Sequence, residues 1–426
     1  MTGGSTLNQP HRAIGLSGAV LINLNGVVGS GIFALPALLY AGAGGYAPLV
    51  VLAYALLVAG PSLVYARLST MHEESGGPQL YVEHAFGPFA GFQAGWFLLG
   101  QNLAARAANF HVLVSYLAAL FPLFDNPAIR LATIAALIAL FTGLAAVGTR
   151  SSIRALGLGT LLKLGPIVLI CGAGLLTNGV PSTFALPEFG EVESIALLLA
   201  YAYSGGALSA MVAGEVRDAR RTVYRSIFVN LAAIALLYAF VQWAYIAIDP
   251  QQVNADRPLA SAGEAVFGPL GVALISVAAI FSTGTNQLSY FVSMPRLIYG
   301  MASRGLLPAL LARISPRFDT PAPAIIAYGV IVLALALSGT FATLATYMVA
   351  LETLVILLTV LALPMLWHMG EGRPQGAMLI VWAALVVFAL VFNLWLLAQV
   401  PLSSALPTLG VLAAGTALYA LASRRR

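Results

Sequence analysis

The chain has 426 residues, of which 60% are hydrophobic and 8% charged, with a formal net charge of +5. So little polar surface excludes a soluble globular domain and describes a polytopic membrane protein. The positive charge is not a nucleic-acid signature, and with Cys171 as the only cysteine an intrachain disulfide is excluded.

The first ten residues are polar, and the apolar run after them is too long for a signal-peptide core. About twelve apolar segments follow, near 12–40, 46–68, 87–121, 128–148, 153–177, 192–214, 224–248, 262–298, 322–339, 342–367, 376–398 and 403–423. Each is long enough to cross or nearly cross a bilayer as a helix. The third and eighth run long and are expected to tilt or protrude. The loops between them are short. The expectation is an all-α integral membrane protein of about 12 transmembrane helices, a single transmembrane domain over 1–426.

Basic residues orient the segments. With the N-terminus inside, only Arg130 and Arg257 fall in outer loops, while arginines such as Arg67, Arg217, Arg221, Arg225, Arg304 and Arg313 fall on the inner side. This bias places both termini in the cytoplasm of a multi-pass cell (inner) membrane protein.

The first segment carries Gly26, Gly29 and Gly31 within six residues, at mid-membrane depth. Glycine costs a helix about 1 kcal/mol against alanine. Close helix packing is one reason to keep such residues. A broken helix facing a solute is the other. Tyr203-Ser204-Gly205-Gly206 repeats the signal in the sixth segment, and the pair favours the second reading. Breaks in segments one and six are what two inverted halves of five helices produce. A half-helix starting near Ile32 offers free N–H groups to a carboxylate. Half-helices ending near Val28 and Tyr203 offer carbonyls to an ammonium. A pocket with both receives a zwitterion such as an amino acid.

At this point the chain resembles a family. Gly29-Ser30-Gly31-Ile32-Phe33 is similar to the G-S-G-I-F of the amino acid–polyamine–organocation (APC) superfamily, which includes the arginine–agmatine antiporter and related amino acid transporters. Ser75-Gly76-Gly77-Pro78 with Tyr81, Ala85-Phe86-Gly87-Pro88, Tyr201 to Gly205 then Gly214 to Arg221, and Ser293 to Pro308 follow in the family's order. The resemblance covers roughly the first ten helices. It implies a leucine-transporter-like 5+5 inverted repeat with broken helices 1 and 6 and alternating access. The halves are 12–190 and 191–368, with 376–423 forming peripheral helices 11 and 12.

The resemblance also implies a substrate site. The carboxylate is expected on the backbone of Ser30, Gly31 and Ile32 and the ammonium at carbonyls near Val27 and Tyr203, with Gly29, Ser204 and Gly205 as further substrate-binding residues. By position Tyr201 is an aromatic lid, although ordinary packing explains it equally. Ala207 stands where many relatives carry an acid, which argues against arginine, lysine or polyamines as main substrates.

Lys163, the only lysine, lies about ten residues into the fifth span, roughly 15 Å deep. It resembles the helix-five lysine of relatives, where an ammonium replaces a sodium ion. That implies sodium independence. Such a lysine either exchanges a proton during the cycle or caps carbonyls of the broken helix. Ser282, Asn286, Ser289 and Ser293 form a polar stripe on helix eight, either helix–helix glue or the opposite wall of the cation site.

Arg106 lies deep in the third span and shares a face with Asn102 and Asn109 at i−4 and i+3. An intramembrane charge invites a functional reading. Arg106 either binds an acidic side chain or pairs with Glu352 in the tenth span. His111 is a polar packing residue or a pH sensor.

No nucleotide-binding loop, metal-ligand cluster, H-E-x-x-H or G-x-S-x-G is present. An enzyme, with catalytic residues or a cofactor, is not expected. A channel calls for a filter or charged ring, whereas paired broken helices argue for one pocket per chain. The reading is therefore a secondary active transporter for amino acids, an antiporter or proton symporter for neutral or acidic substrates. The alternatives are a carrier of another small amine or organic anion, or a channel-like protein. Partners are the amino acid, protons and the lipid bilayer.

Overall fold

A backbone in lipid must pair its own N–H and C=O groups, which leaves helices as the default for a chain this apolar. A computed structural model describes residues 14–72, 77–148, 153–179, 189–206, 208–211, 213–248 and 255–424. Among them the chain is mainly helical, with one isolated bridge between Ile14 and Val216 and no strand. Arg12, Ser75, Gly76 and Ala207 lie outside the described residues.

The first segment is two helices, α1 (Leu16–Val27) and α2 (Gly31–Ala43), separated at Val28, Gly29 and Ser30. Next come α3 (Ala47–Met71), the short α4 (Pro78–Phe86), and α5 (Pro88–Leu120). Then follow α6 (Pro127–Val147) and α7 (Ile153–Asn178). The sixth segment is again divided, into α8 (Phe189–Ser194), α9 (Ala196–Tyr203) and α10 (Leu208–Met211). The chain continues through α11 (Ala219–Ile248), α12 (Pro258–Phe267), α13 (Pro269–Ser293) and α14 (Pro295–Ser303). It finishes with α15 (Ala322–Ser338), α16 (Phe341–His368), α17 (Ala377–Ala398) and α18 (Leu402–Ser423).

Among the described residues each of the twelve expected segments contains helix. Nine helices among the described residues are long and apolar enough to cross a membrane, and Leu16–Val27 and Ala322–Ser338 are shorter apolar ones. The protein is an all-α, multi-span membrane protein.

The two long segments differ from each other. The third is one 33-residue helix, α5. The eighth is not one tilted helix. Gly268, at φ +59, ends α12, and Pro269 starts α13 in a new direction. A positive φ is open to glycine without strain, and proline is well placed in a first helical turn.

α5 forms the interior. Its most apolar window is 78% buried, against 17% for those of α6 and α18, so α5 is surrounded by protein and the others face lipid. α16 packs along α5, and α11 packs along α3. α17 rests on α3 and α16, and α18 on α5 and α16. Arg106, Asn102 and Asn109 on α5 are consequently held inside.

Candidate functional site at the two helix breaks

The breaks meet. A Cβ added to Gly26 would lie 2.4 Å from Leu208 Cδ1 and 2.7 Å from the Gly205 carbonyl oxygen. Only glycine permits that approach, and Gly205 also sits at φ +87.

At the first break, Val28 N donates to Leu24 O at 2.8 Å and Gly29 N to Val27 O at 2.8 Å. The Ser30 carbonyl accepts from Phe33 and Ala34, which starts α2. Among the described residues no acceptor is paired with the N–H of Ser30, Gly31 or Ile32. These are the orphan donors of a helix N-terminus. Ser30 and Gly31 border a cavity with about 310 Å³ of empty space, whereas Ile32 is not on its wall. Gly26, Val27, Gly29, Ala105, Arg106, Asn109, Tyr201, Ser204, Asn286 and Met348 complete its wall.

Asn109 ties the cavity together. Ser30 Oγ donates to Asn109 Oδ1, and Tyr201 Oη donates to the same oxygen at 2.6 Å. The two hydroxyl oxygens lie 2.9 Å apart. Tyr201 packs its ring edge-on against Phe341, with centroids 5.4 Å apart. Its hydroxyl thus reaches the break while its ring closes one side.

Asn102 does not join them. It donates to Leu98 O on its own helix at 2.9 Å and is absent from the cavity wall. Asn109, two helical turns further along α5, is the amide brought to Ser30.

Arg106 and Glu352 are not paired. No described carboxylate lies within 4.0 Å of the Arg106 guanidinium. Arg106 instead donates to Asn286 Oδ1 and stacks 3.9 Å over the Tyr290 ring, a cation–π contact. Its Nε is buried without a partner. Glu352 accepts from Ser204 Oγ at 2.7 Å.

Lys163 reaches the break from α7. Its ammonium donates to Val28 O at 2.8 Å and to Asn25 Oδ1 at 2.9 Å. Asn25 Nδ2 donates to Thr160 Oγ1 at 2.8 Å, and Asn286 Nδ2 donates to Asn25 O at 2.9 Å. One cation and two amides thus join α1, α7 and α13. The helix-eight stripe divides here. Ser282 and Asn286 are buried, whereas Ser289 and Ser293 are exposed and Ser289 bonds back to Thr285 O.

The carbonyls expected to hold an ammonium differ in availability. Val27 O already accepts from Gly29 N and, at 3.4 Å, from Tyr238 Oη. No described donor is paired with Tyr203 O. The Tyr203 hydroxyl donates to Val51 O at 2.8 Å. His111 bonds to the Ala336 carbonyl at 2.9 Å, as a packing residue does.

Asn25 and Asn109 were not singled out as site residues from sequence. The available signal was an amide in an apolar run, Asn25 two residues after Asn23 and Asn109 on the face of Asn102 and Arg106. Ala207 lies outside the described residues, so its place beside the break is not part of this geometry.

The chain matches the amino acid permease family over residues 14–418. It belongs to that family. The permease is 30% identical to human Asc-type amino acid transporter 1 over 414 residues, covering 89% of this chain and 78% of the relative. It is 30% identical over 410 residues to mouse large neutral amino acids transporter small subunit 2, covering 90% and 76%. An uncharacterised transporter of Mycobacterium tuberculosis is 28% identical over 438 aligned positions, covering 97% and 91%. The permease is therefore an amino acid transporter of the APC superfamily and not an enzyme.

Proposed function

We propose that this permease is a sodium-independent carrier working by alternating access between two inverted halves, with both termini in the cytoplasm. The substrate carboxylate binds the free N–H groups of Ser30, Gly31 and Ile32. Its ammonium lies toward Tyr203 O and Ser204. Lys163 stands where a coupling cation would otherwise bridge α1 and α7, which supports independence from sodium. Whether the cycle is exchange or proton symport turns on whether that ammonium releases its proton.

The observation that carries the choice of substrate is Arg106. It is buried, borders the cavity and has no carboxylate beside it. A buried guanidinium without a counter-ion is costly, and an acidic side chain on the substrate supplies one. We therefore assign a preference for acidic amino acids. A second reading, neutral substrates, is favoured by the printed names of the human and mouse relatives.

Counterflow in proteoliposomes without sodium separates them. Labelled glutamate, leucine, methionine, alanine, arginine and putrescine form the panel, each at two pH values. Glutamate exchange that Arg106→Ala abolishes is expected. Exchange of leucine or alanine, retained in Arg106→Ala, overturns the acidic reading. A panel in which nothing moves overturns the substrate placement.

A further inference from the structure

A second, larger cavity adjoins the first and shares Ser204 with it. It holds about 1020 Å³ of empty space and extends to Tyr65 and Pro78, toward the end where α3 finishes. Its walls are largely apolar, and Tyr54, Tyr65, Tyr203 and Phe392 give them aromatic rings. Tyr54 stands with its centroid 5.8 Å from that of Tyr203 and 5.6 Å from that of Phe392.

Glu352 is the one charged side chain on this wall. Ser204 Oγ occupies one of its oxygens. No cation among the described residues lies within ion-pair distance of it. The two cations deep in the spans are engaged elsewhere, Arg106 by Asn286 and Tyr290 and Lys163 by Val28 and Asn25. A carboxylate at this depth calls for a positive partner.

Three other polar groups on the wall spend a hydrogen on their own helices. Thr353 and Thr359 donate their hydroxyl hydrogens to Val349 O and Val355 O on their own helix. Asn393 Nδ2 donates to Ala389 O. The two threonine hydroxyls therefore turn acceptor lone pairs to the cavity, while Asn393 keeps one N–H and the oxygens of Tyr54 and Gln101 are buried without a partner. A cavity lined by aromatic rings and carrying one carboxylate with no described cation beside it suits an organic cation.

We propose that this cavity binds an organic ammonium ion with an apolar body, with Glu352 as its counter-ion. The aromatic rings hold the body and the Glu352 carboxylate receives the ammonium. Two sources share this chemistry: a free amine, or the ammonium end of an amino acid passing to or from the broken-helix site. Binding of an amine is measurable without transport, so this site and the substrate reading above fail separately.

The test is equilibrium binding of labelled phenethylamine to the full chain in nanodiscs. Saturable binding is expected, weakened about tenfold or more in Glu352→Gln, since a hydrogen bond to a charged group is lost. Phenylacetate, with the charge reversed on the same body, is expected not to compete. Ile356→Trp, which fills the cavity and leaves the carboxylate in place, is expected to lose binding. Variants are accepted as folded on a monodisperse elution profile. Competition by the best-exchanged amino acid identifies that substrate as a second source of the ammonium, and its absence leaves the free amine, both within the proposal. No binding to the unmodified chain, or equal binding in Glu352→Gln, overturns it. So does binding lost in Gly31→Val but kept in Glu352→Gln, which assigns the amine to the first cavity.

Discussion

Gly26 and Gly205 face each other so closely that a Cβ on either would lie within 2.8 Å of the other's carbonyl oxygen. The two broken helices therefore touch backbone to backbone. That contact holds the orphan N–H groups of α2 and the end of α9 around one small cavity.

Gly205→Ala is expected to destabilise the protein by about 1–3 kcal/mol, through the clash with Gly26 and the strained positive φ. The check is the midpoint of thermal unfolding in detergent. Gly143→Ala in α6, where a Cβ meets nothing within 4 Å, is the control and should leave the midpoint unchanged or raised.

Lys163→Met removes the donor from Val28 O and Asn25 Oδ1. Two buried acceptors lose their partner, at a cost of about 1–3 kcal/mol each at most. Unfolding should shift down, and counterflow should fall with it. If sodium addition has no effect on the parent chain but alters the variant, the ammonium and the ion share one place. An unchanged midpoint would show that the ammonium does not brace the break.

Asn25 and Lys163 belong to one network, so their effects should not add. Asn25→Ala, Lys163→Met and the double variant form a cycle with an expected coupling of about 0.5–3 kcal/mol. Thr160→Ala, which leaves the Lys163 bonds intact, should couple more weakly to Lys163→Met. Equal coupling for both partners would remove Asn25 from the centre of the network.

Tyr201→Phe keeps the ring on Phe341 and leaves the Ser30–Asn109 bond. It should cost about 0.5–1.5 kcal/mol or less in stability and retain most counterflow. Tyr201→Ala removes the covering ring and is expected to abolish retention of substrate. Equal transport by both variants would make Tyr201 an ordinary packing residue.

Much of this was readable without coordinates. Gly29-Ser30-Gly31 and Ser204-Gly205 were legible as breaks because glycines in a lipid-buried run oppose local propensity. Lys163 and Arg106 stood out because charges are expensive in a bilayer. Their partners were not legible. Helix periodicity places Asn102, Arg106 and Asn109 on one broad face, but it does not say which amide meets Ser30. Glu352 was a reasonable partner for Arg106 by charge alone, yet it bonds to Ser204 while Asn286 takes the guanidinium. The long eighth segment looked continuous because the turn at Gly268 interrupts direction without interrupting hydrophobicity.

The sequence by itself determined that this protein spans a membrane many times, that two of its passes are broken, and that its family carries amino acids. Those properties rest on local composition and on residues that violate local preference. Tertiary structure alone decided which breaks touch, where Lys163 ends and what surrounds Glu352. Such pairings depend on how helices are rotated and shifted against one another, and contacts between residues more than a hundred positions apart leave no periodic trace along the chain.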